Sequence, residues 1–266
     1  MTRRGRASLG CCVAEGIRLH ERALRAGRRV EAALVSESFR NDTSERIRRI
    51  VEGLVAGACD LQVAPEDVIR ELTDGRSLGS VVGLVRLPGP RALGELIREA
   101  KPRPATLLVA MDVEEPGNVG ALVRTGLASG AAAFLAVGAS DAFHPKAVRT
   151  SMGGVFKLPI VHYREPGPLL GELASRGVTT VGATAAEGVP LPLQGFGSGP
   201  LAVILGSEAF GLSPELLQAM DQRVTIPMAS DVDSFSVNAA AAVLLYEIRL
   251  RREAATDLRG EDPHVE

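Results

Sequence analysis

Tryptophan is absent from the 266 residues, and aromatic residues make up only 3% of them. The interior must therefore be packed from aliphatic side chains and alanine. Only three cysteines occur, Cys11, Cys12 and Cys59, at spacings that fit no metal motif. An odd set of this kind reads as reduced thiols of a cytoplasmic protein, not as a disulfide framework. No stretch of about 18 apolar residues runs without charge, so no membrane span is expected. The opening MTRRGRASLGCCVAEG carries arginines but no long apolar run, which makes it a poor signal peptide.

Several chemistries lack their signatures. The histidines His20, His144, His162 and His264 are scattered, with no HExxH and no Cys/His cluster, so no metal site is expected. No GxSxG elbow exists, and Ser207 in GSEAFG has the wrong spacing. There is no Walker A sequence. The glycines of GFGSGP, residues 195–200, precede a strand, whereas a dinucleotide-binding glycine loop follows one and opens a helix. They read as a surface loop.

What remains is an ordinary globular composition, 45% hydrophobic and 23% charged. The length exceeds the usual single-domain mode of ~100–150 residues, so one large or two modest domains are expected. The net charge of −2 conceals a polarity. Residues 1–29 hold eight arginines (Arg3, Arg4, Arg6, Arg18, Arg22, Arg25, Arg28, Arg29) against Glu15 and Glu21, a surplus of 8 − 2 = +6. Such a surplus suits phosphate neutralisation on a nucleic acid, and equally an arginine-rich solvated helix face. The last residues, from Glu253, are acidic and read as a disordered tail over 253–266.

Along the chain, helical and strand-like patterns alternate. Helices are expected over about 15–27 and 43–56 and in APEDVIREL, with strands in VEAALVSE, DLQVA and VVGLVRL. These form a small N-terminal α/β domain over 1–88. The proline-bracketed PGPRALGELIREAKPRP supplies a linker over 89–104. From Ala105 the alternation is stricter. ATLLVAMDV, AAFLAVG, LPIVHY, VTTVGAT, PLAVILG and QRVTIPM read as strands separated by helices, with a last helix over 236–252. Continuous apolar strands of this kind indicate a mostly parallel sheet in an α/β domain over 105–252.

Three stretches fall at C-terminal ends of expected strands, where open α/β sheets bind ligands. The first, PGNVGALVRT, contains Asn118 and, six residues on, Arg124 within an otherwise apolar helix. The second, VILGSEAFGLS, ends a strand at Gly206 and sets Glu208 in a turn before a helix. The third, IPMASDVDSFSVNAAAAVLLYE, enters a helix of small residues through Ser234, Ser236 and Asn238, where one capping residue would suffice.

Together these stretches resemble, in order, the motif set of the SpoU/TrmH family of RNA 2'-O-ribose methyltransferases, within the SPOUT superfamily. The matching residues are Asn118, Gly120 and Arg124; Gly206 and Glu208; and the IPM…DSFSVNAAAAVLLYE segment. FHPKAVRTSMGGVFKLPI also resembles the family's connecting segment, and the likeness spans about 105–250. More weakly, residues 13–88 resemble the small RNA-binding domain that precedes the catalytic domain in many ribosomal RNA methylases, some antibiotic-resistance enzymes among them.

The resemblance implies a trefoil knot, a homodimer formed through the C-terminal domain, and S-adenosylmethionine as cofactor. It places Ala183, Thr184, Leu205, Gly206, Ile226, Met228, Phe235, Ser236 and Asn238 at the cofactor and Arg124, Asn118 and Glu208 at the chemistry. RNA is the implied partner, with 23S ribosomal RNA as the expected substrate. A transfer RNA 2'-O-methyltransferase and a non-catalytic RNA-binding protein retaining the knot are the alternatives. Two departures stand out. The family's last motif usually reads Ser-Leu-Asn-Val-Ser, whereas here it is Ser234-Phe235-Ser236-Val237-Asn238, with the asparagine displaced by two positions. Ala209 also follows Glu208 where glycine is usual.

Overall fold

The computed structural model describes residues 2–76, 80–101 and 103–260, with side chains as far as Ala254. Two sheets organise the chain. In the N-terminal half, α1 (Arg3–Leu9), β1 (Cys11–Glu15), α2 (Ile17–Arg25), β2 (Val30–Val35), α3 (Glu37–Arg40), α4 (Glu45–Ala56), β3 (Asp60–Val63), α5 (Glu66–Leu72) and β4 (Val81–Arg86) build a four-stranded sheet of order β1-β4-β2-β3. Only β2 and β3 are parallel; β4 runs antiparallel to both β1 and β2. Alternation along the strands gives this sheet two faces. Cys12, Ala14, Ala33, Val35, Val81 and Val85 are buried, and they share a core with Leu19 of α2 and Ile50 of α4.

After α6 (Leu93–Glu99), the C-terminal half contains β5 (Thr106–Met111), α7 (Pro116–Ala128), β6 (Ala133–Val137), α8 (Pro145–Thr150), β7 (Ile160–Tyr163), α9 (Pro166–Ser175), β8 (Thr179–Ala183), β9 (Val189–Pro190), β10 (Leu201–Leu205), α10 (Pro214–Gln218), β11 (Gln222–Thr225) and α11 (Val237–Gly260). All seven strands pair in parallel, in the order β7-β6-β5-β10-β8-β11-β9. β6 and β10 are buried at every position, as their unbroken apolar runs require in a sheet covered on both faces.

The halves interlock. One hydrophobic cluster runs from Cys12, Leu19 and Leu54 through Leu108, Phe134 and Phe156 to Leu244. Polar ties reinforce it. Arg6 is buried against Asp141, Arg22 donates to the Met152 carbonyl, and Arg28 donates to the Phe156 carbonyl at 2.9 Å. From the other side, Arg149 reaches Glu15 at 2.7 Å, a carboxylate that Arg76 also holds at 3.1 Å. Three of the eight N-terminal arginines are thus spent on the junction.

The elements differ from the expected ones in a few places. α1 and β1 carry no strong pattern: Cys-Cys-Val-Ala-Glu holds a single β-branched residue, yet β1 forms because β4 pairs with it. The last helix does not stop at 252. Glu253–Gly260 continue α11, Glu253 accepting from Arg249 at 2.9 Å and Arg103 at 2.7 Å, so the expected disordered tail is helical that far. Residues 261–266 lie outside those described. No helix among the described residues is long and apolar enough to cross a membrane, and none of them form a cluster of three or more metal-ligating side chains. Burial pushes the Cys12 thiol up to about 12, which makes it a packing residue.

Candidate active site

A cavity of about 560 Å³ opens at the C-terminal ends of β8, β10 and β11, the edge at which parallel sheets bind ligands. Three loops wall it: 183–186 after β8, 205–212 after β10, and 226–237 between β11 and α11. Its lining includes Ala183, Thr184, Leu205, Gly206, Ile226, Met228, Phe235 and Ser236, eight of the nine residues expected at the cofactor. Asn118 and Glu208 line it too. The sequence reading missed Phe210, which is 92% exposed beside the cavity, and Ala185 and Ala186. A lone aromatic residue in a turn bounded by Gly206 and Gly211 is the signal the sequence offered.

Loop 206–212 is held by its own backbone. Ser207 and Gly211 exchange hydrogen bonds at 3.2 and 2.9 Å, and Gly211 takes a φ of +66°. A side chain at Gly206 would overlap the Gly211 carbonyl, which explains the glycine. Glu208 ties this loop to the start of α7. Its Oε1 accepts from Asn118 Nδ2 at 2.8 Å, and its Oε2 accepts from the Glu114 backbone at 3.3 Å. Both carboxylate oxygens are thereby engaged, and no hydrogen bond or ion pair joins Glu208 to Arg124.

Ser234, Ser236 and Asn238, at the entry to α11, have separate tasks. Ser236 caps the helix, its Oγ accepting from Ala239 N at 3.3 Å and its carbonyl from Ala240 N at 2.9 Å. Ser234 lines the cavity. Asn238 does not line it. A shift of two helical positions turns a side chain by about 200°, and Asn238 meets α7 instead, donating from Nδ2 to Asn118 Oδ1 at 2.9 Å. The carboxylate orients this chain of amides. Glu208 only accepts, so Asn118 must present its NH₂ to Glu208 and its carbonyl to Asn238. The Asn238 Oδ1 is then left buried without a protein partner.

α7 positions Asn118. Glu115 caps it, accepting from Gly117 N at 2.9 Å, and Lys146 bridges Glu115 at 2.7 Å. That cation, with the Gly117 bond, holds the Glu115 carboxyl below its ordinary range. Gly120 lets α7 cross α8 closely, since a side chain there would overlap the Ala147 carbonyl and Thr150 Oγ1. Arg124 is exposed on α7, away from the cavity lining, and makes no hydrogen bond or ion pair among the described residues.

Residues 105–246 match the profile of the SpoU rRNA Methylase family. The chain belongs to that family. Relatives match over nearly its whole length. The 23S rRNA (guanosine(2553)-2'-O)-methyltransferase RlmP of Bacillus subtilis is 28% identical over 253 residues, 93% of this chain and 92% of the relative. Among solved structures, the SpoU methyltransferase AviRb from Streptomyces viridochromogenes, in complex with AdoMet, superposes with a TM-score of 0.81 at 26% identity. It covers 96% of this chain and 95% of its own. A structure described as an RNA 2'-O ribose methyltransferase gives 0.75 at 31% identity, covering 95% and 93%. The cavity fits the SpoU cofactor, S-adenosylmethionine. Ala183, Leu205 and Ile226 give apolar surface for an adenine ring, and the backbone of loops 206–212 and 226–237 supplies polar groups for the rest.

Proposed function

We propose that this chain methylates a ribose 2'-oxygen of ribosomal RNA, with 23S ribosomal RNA as the substrate, acting as a homodimer with a trefoil-knotted catalytic domain. The observation that carries the reading is the Glu208–Asn118 clamp at the rim of a cavity suited to the cofactor. S-adenosylmethionine supplies, when bound, an electrophilic methyl group on a sulfonium. The protein's own contribution concerns the hydroxyl that receives it. A neutral 2'-hydroxyl is a weak nucleophile, and negative charge develops on its oxygen as the proton leaves.

Arg124 suits that charge. A guanidinium offers five donors and no acceptor, so it serves as an electrostatic and phosphate-gripping group and not as a base. Glu208 is a structural clamp, because both its oxygens are already engaged. Asn118 places substrate at the rim, and Asn238 holds Asn118 from behind.

The dimer reading rests on an open apolar stripe. Val243, Tyr246 and Leu250 on α11 are 38%, 60% and 43% exposed, at spacings that share one helix face. Leu127 is exposed on the adjacent α7, and Arg124 lies three residues before it on the same side. Covering this stripe with a second copy would also set where the Arg124 guanidinium falls. The domain division at 1–88, 89–104 and 105–252, and a cytoplasmic location, belong to the same reading. Incubation with methyl-labelled S-adenosylmethionine and separated RNA fractions, followed by mapping of 2'-O-methyl groups, tests it. Label in ribosomal RNA is the expected result; label in no RNA overturns it.

A further inference from the structure

A second cavity, about 720 Å³, lies at the junction of the two halves. It is larger than the cofactor cavity and falls within the ~300–1,000 Å³ of pockets that take small molecules. Its floor is the second face of the N-terminal sheet. Val13 of β1, Leu34 of β2, and Val82 and Leu84 of β4 alternate with the buried core positions and remain half-buried. The α8 helix of the catalytic half covers only one end of that face, and Leu72 of α5 borders the groove as well. The junction holds it open: Glu15, 6% exposed and gripped by Arg76 and Arg149, forms part of the wall.

The wall chemistry selects the occupant. Three carboxylates (Glu15, Asp60, Asp74) are matched by Lys146 and Arg149 on the wall and by Arg76, which bridges Glu15 and Asp74, so the groove has no cationic surplus to hold a phosphate chain. An aliphatic floor with Asp60 and Gln62 exposed along one edge instead matches a planar base that buries its faces and offers N–H groups at its rim. Lys146 lines the groove and also holds Glu115, three residues before Asn118, so one side chain links the groove wall to the helix that carries the active-site rim.

We infer that this groove receives an unpaired base of the RNA substrate, at a second position from the methylated nucleotide. Single-stranded bases splayed from the chain are the usual objects of sequence-specific RNA recognition. The exposed Asp60 carboxylate, which takes only long 3.3 Å bonds from Gln62 Nε2, keeps lone pairs for exocyclic amino groups, so guanine, adenine and cytosine enter in preference to uracil. The inference rests on RNA being the substrate.

The test uses the full chain with methyl-labelled valine and leucine, titrated with GMP, AMP, CMP and UMP. The Val13, Leu34, Val82 and Leu84 methyl resonances should shift with the first three and least with UMP. Val82→Phe, which fills the floor, should remove those shifts and raise KM for RNA by about tenfold, in line with the loss of one buried base. Cofactor affinity should hold. Gln62→Ala, at an exposed edge position, should weaken discrimination against UMP without altering thermal unfolding, and it decides the matter should Val82→Phe misfold. Unmoved floor methyls at saturating monophosphate, or a wild-type KM in folded Val82→Phe, overturns the inference. Should the wild type fail to methylate any RNA, the functional reading falls, while the methyl shifts still judge the groove.

Discussion

Asn238 and Asn118 face each other across the junction of α11 and α7, joined amide to amide at 2.9 Å, with Glu208 completing the chain at 2.8 Å. The displaced asparagine therefore supports the rim residue from behind. Asn238→Ala should lower turnover while leaving cofactor affinity nearly unchanged, and cost roughly 1 kcal/mol of stability from the lost bond. Calorimetry with S-adenosylmethionine and single-turnover assays on RNA measure the two effects separately. A loss of affinity equal to the loss of turnover would place Asn238 at the cofactor after all.

Arg124 is exposed and unpaired among the described residues, so its removal should leave fold and cofactor binding intact. Arg124→Ala should reduce turnover by orders of magnitude, the signature of an interaction made only in the transition state. Near-normal kcat in that variant would end the assignment.

Gly120 is a point of close approach between α7 and α8. Gly120→Ala forces a methyl group into the Ala147 carbonyl and Thr150 Oγ1, and backbone cannot rotate away. A destabilisation of about 1–3 kcal/mol is expected from such overpacking. The readout is the midpoint of denaturant unfolding, compared with Gly171→Ala, where nothing lies within 4 Å.

His20 is fully buried beneath Gly83, and burial pulls its pKa down to about 4 from 6.5. The folded state therefore holds the neutral ring, while the unfolded chain takes up a proton. Stability should be intact above pH 6.5 and decline as pH falls from 6.5 toward 4, by up to roughly 3 kcal/mol for this group. His20→Gln, which cannot titrate, should flatten that part of the stability curve. An unchanged slope between pH 6.5 and 4 would show that other groups dominate.

Much of this was legible in the sequence, and the gaps have physical reasons. The apolar runs of β5, β6 and β10 announce buried parallel strands, and Asn118, Glu208 and the cavity-lining residues follow from motif order at their ends. Asn238 was placed at the cofactor because a sequence gives its spacing but not its facing; the helical turn carries it to Asn118. The +6 surplus of residues 1–29 suggested an RNA surface, yet Arg6, Arg22 and Arg28 bond across the junction. Charge counts cannot distinguish an arginine for phosphate from one for a carbonyl. β1 went unseen because its partner, β4, lies some seventy residues away.

The continuous hydrophobic cluster has a consequence for how the molecule comes apart. Cys12, Leu54, Phe156 and Leu244 belong to one packed body, so neither sheet can open without exposing the other's core. Heat should then melt both halves in a single cooperative transition. A protease nick in the connecting segment should leave the two fragments associated until denaturant separates them. Two lobes by topology would behave as one thermodynamic unit.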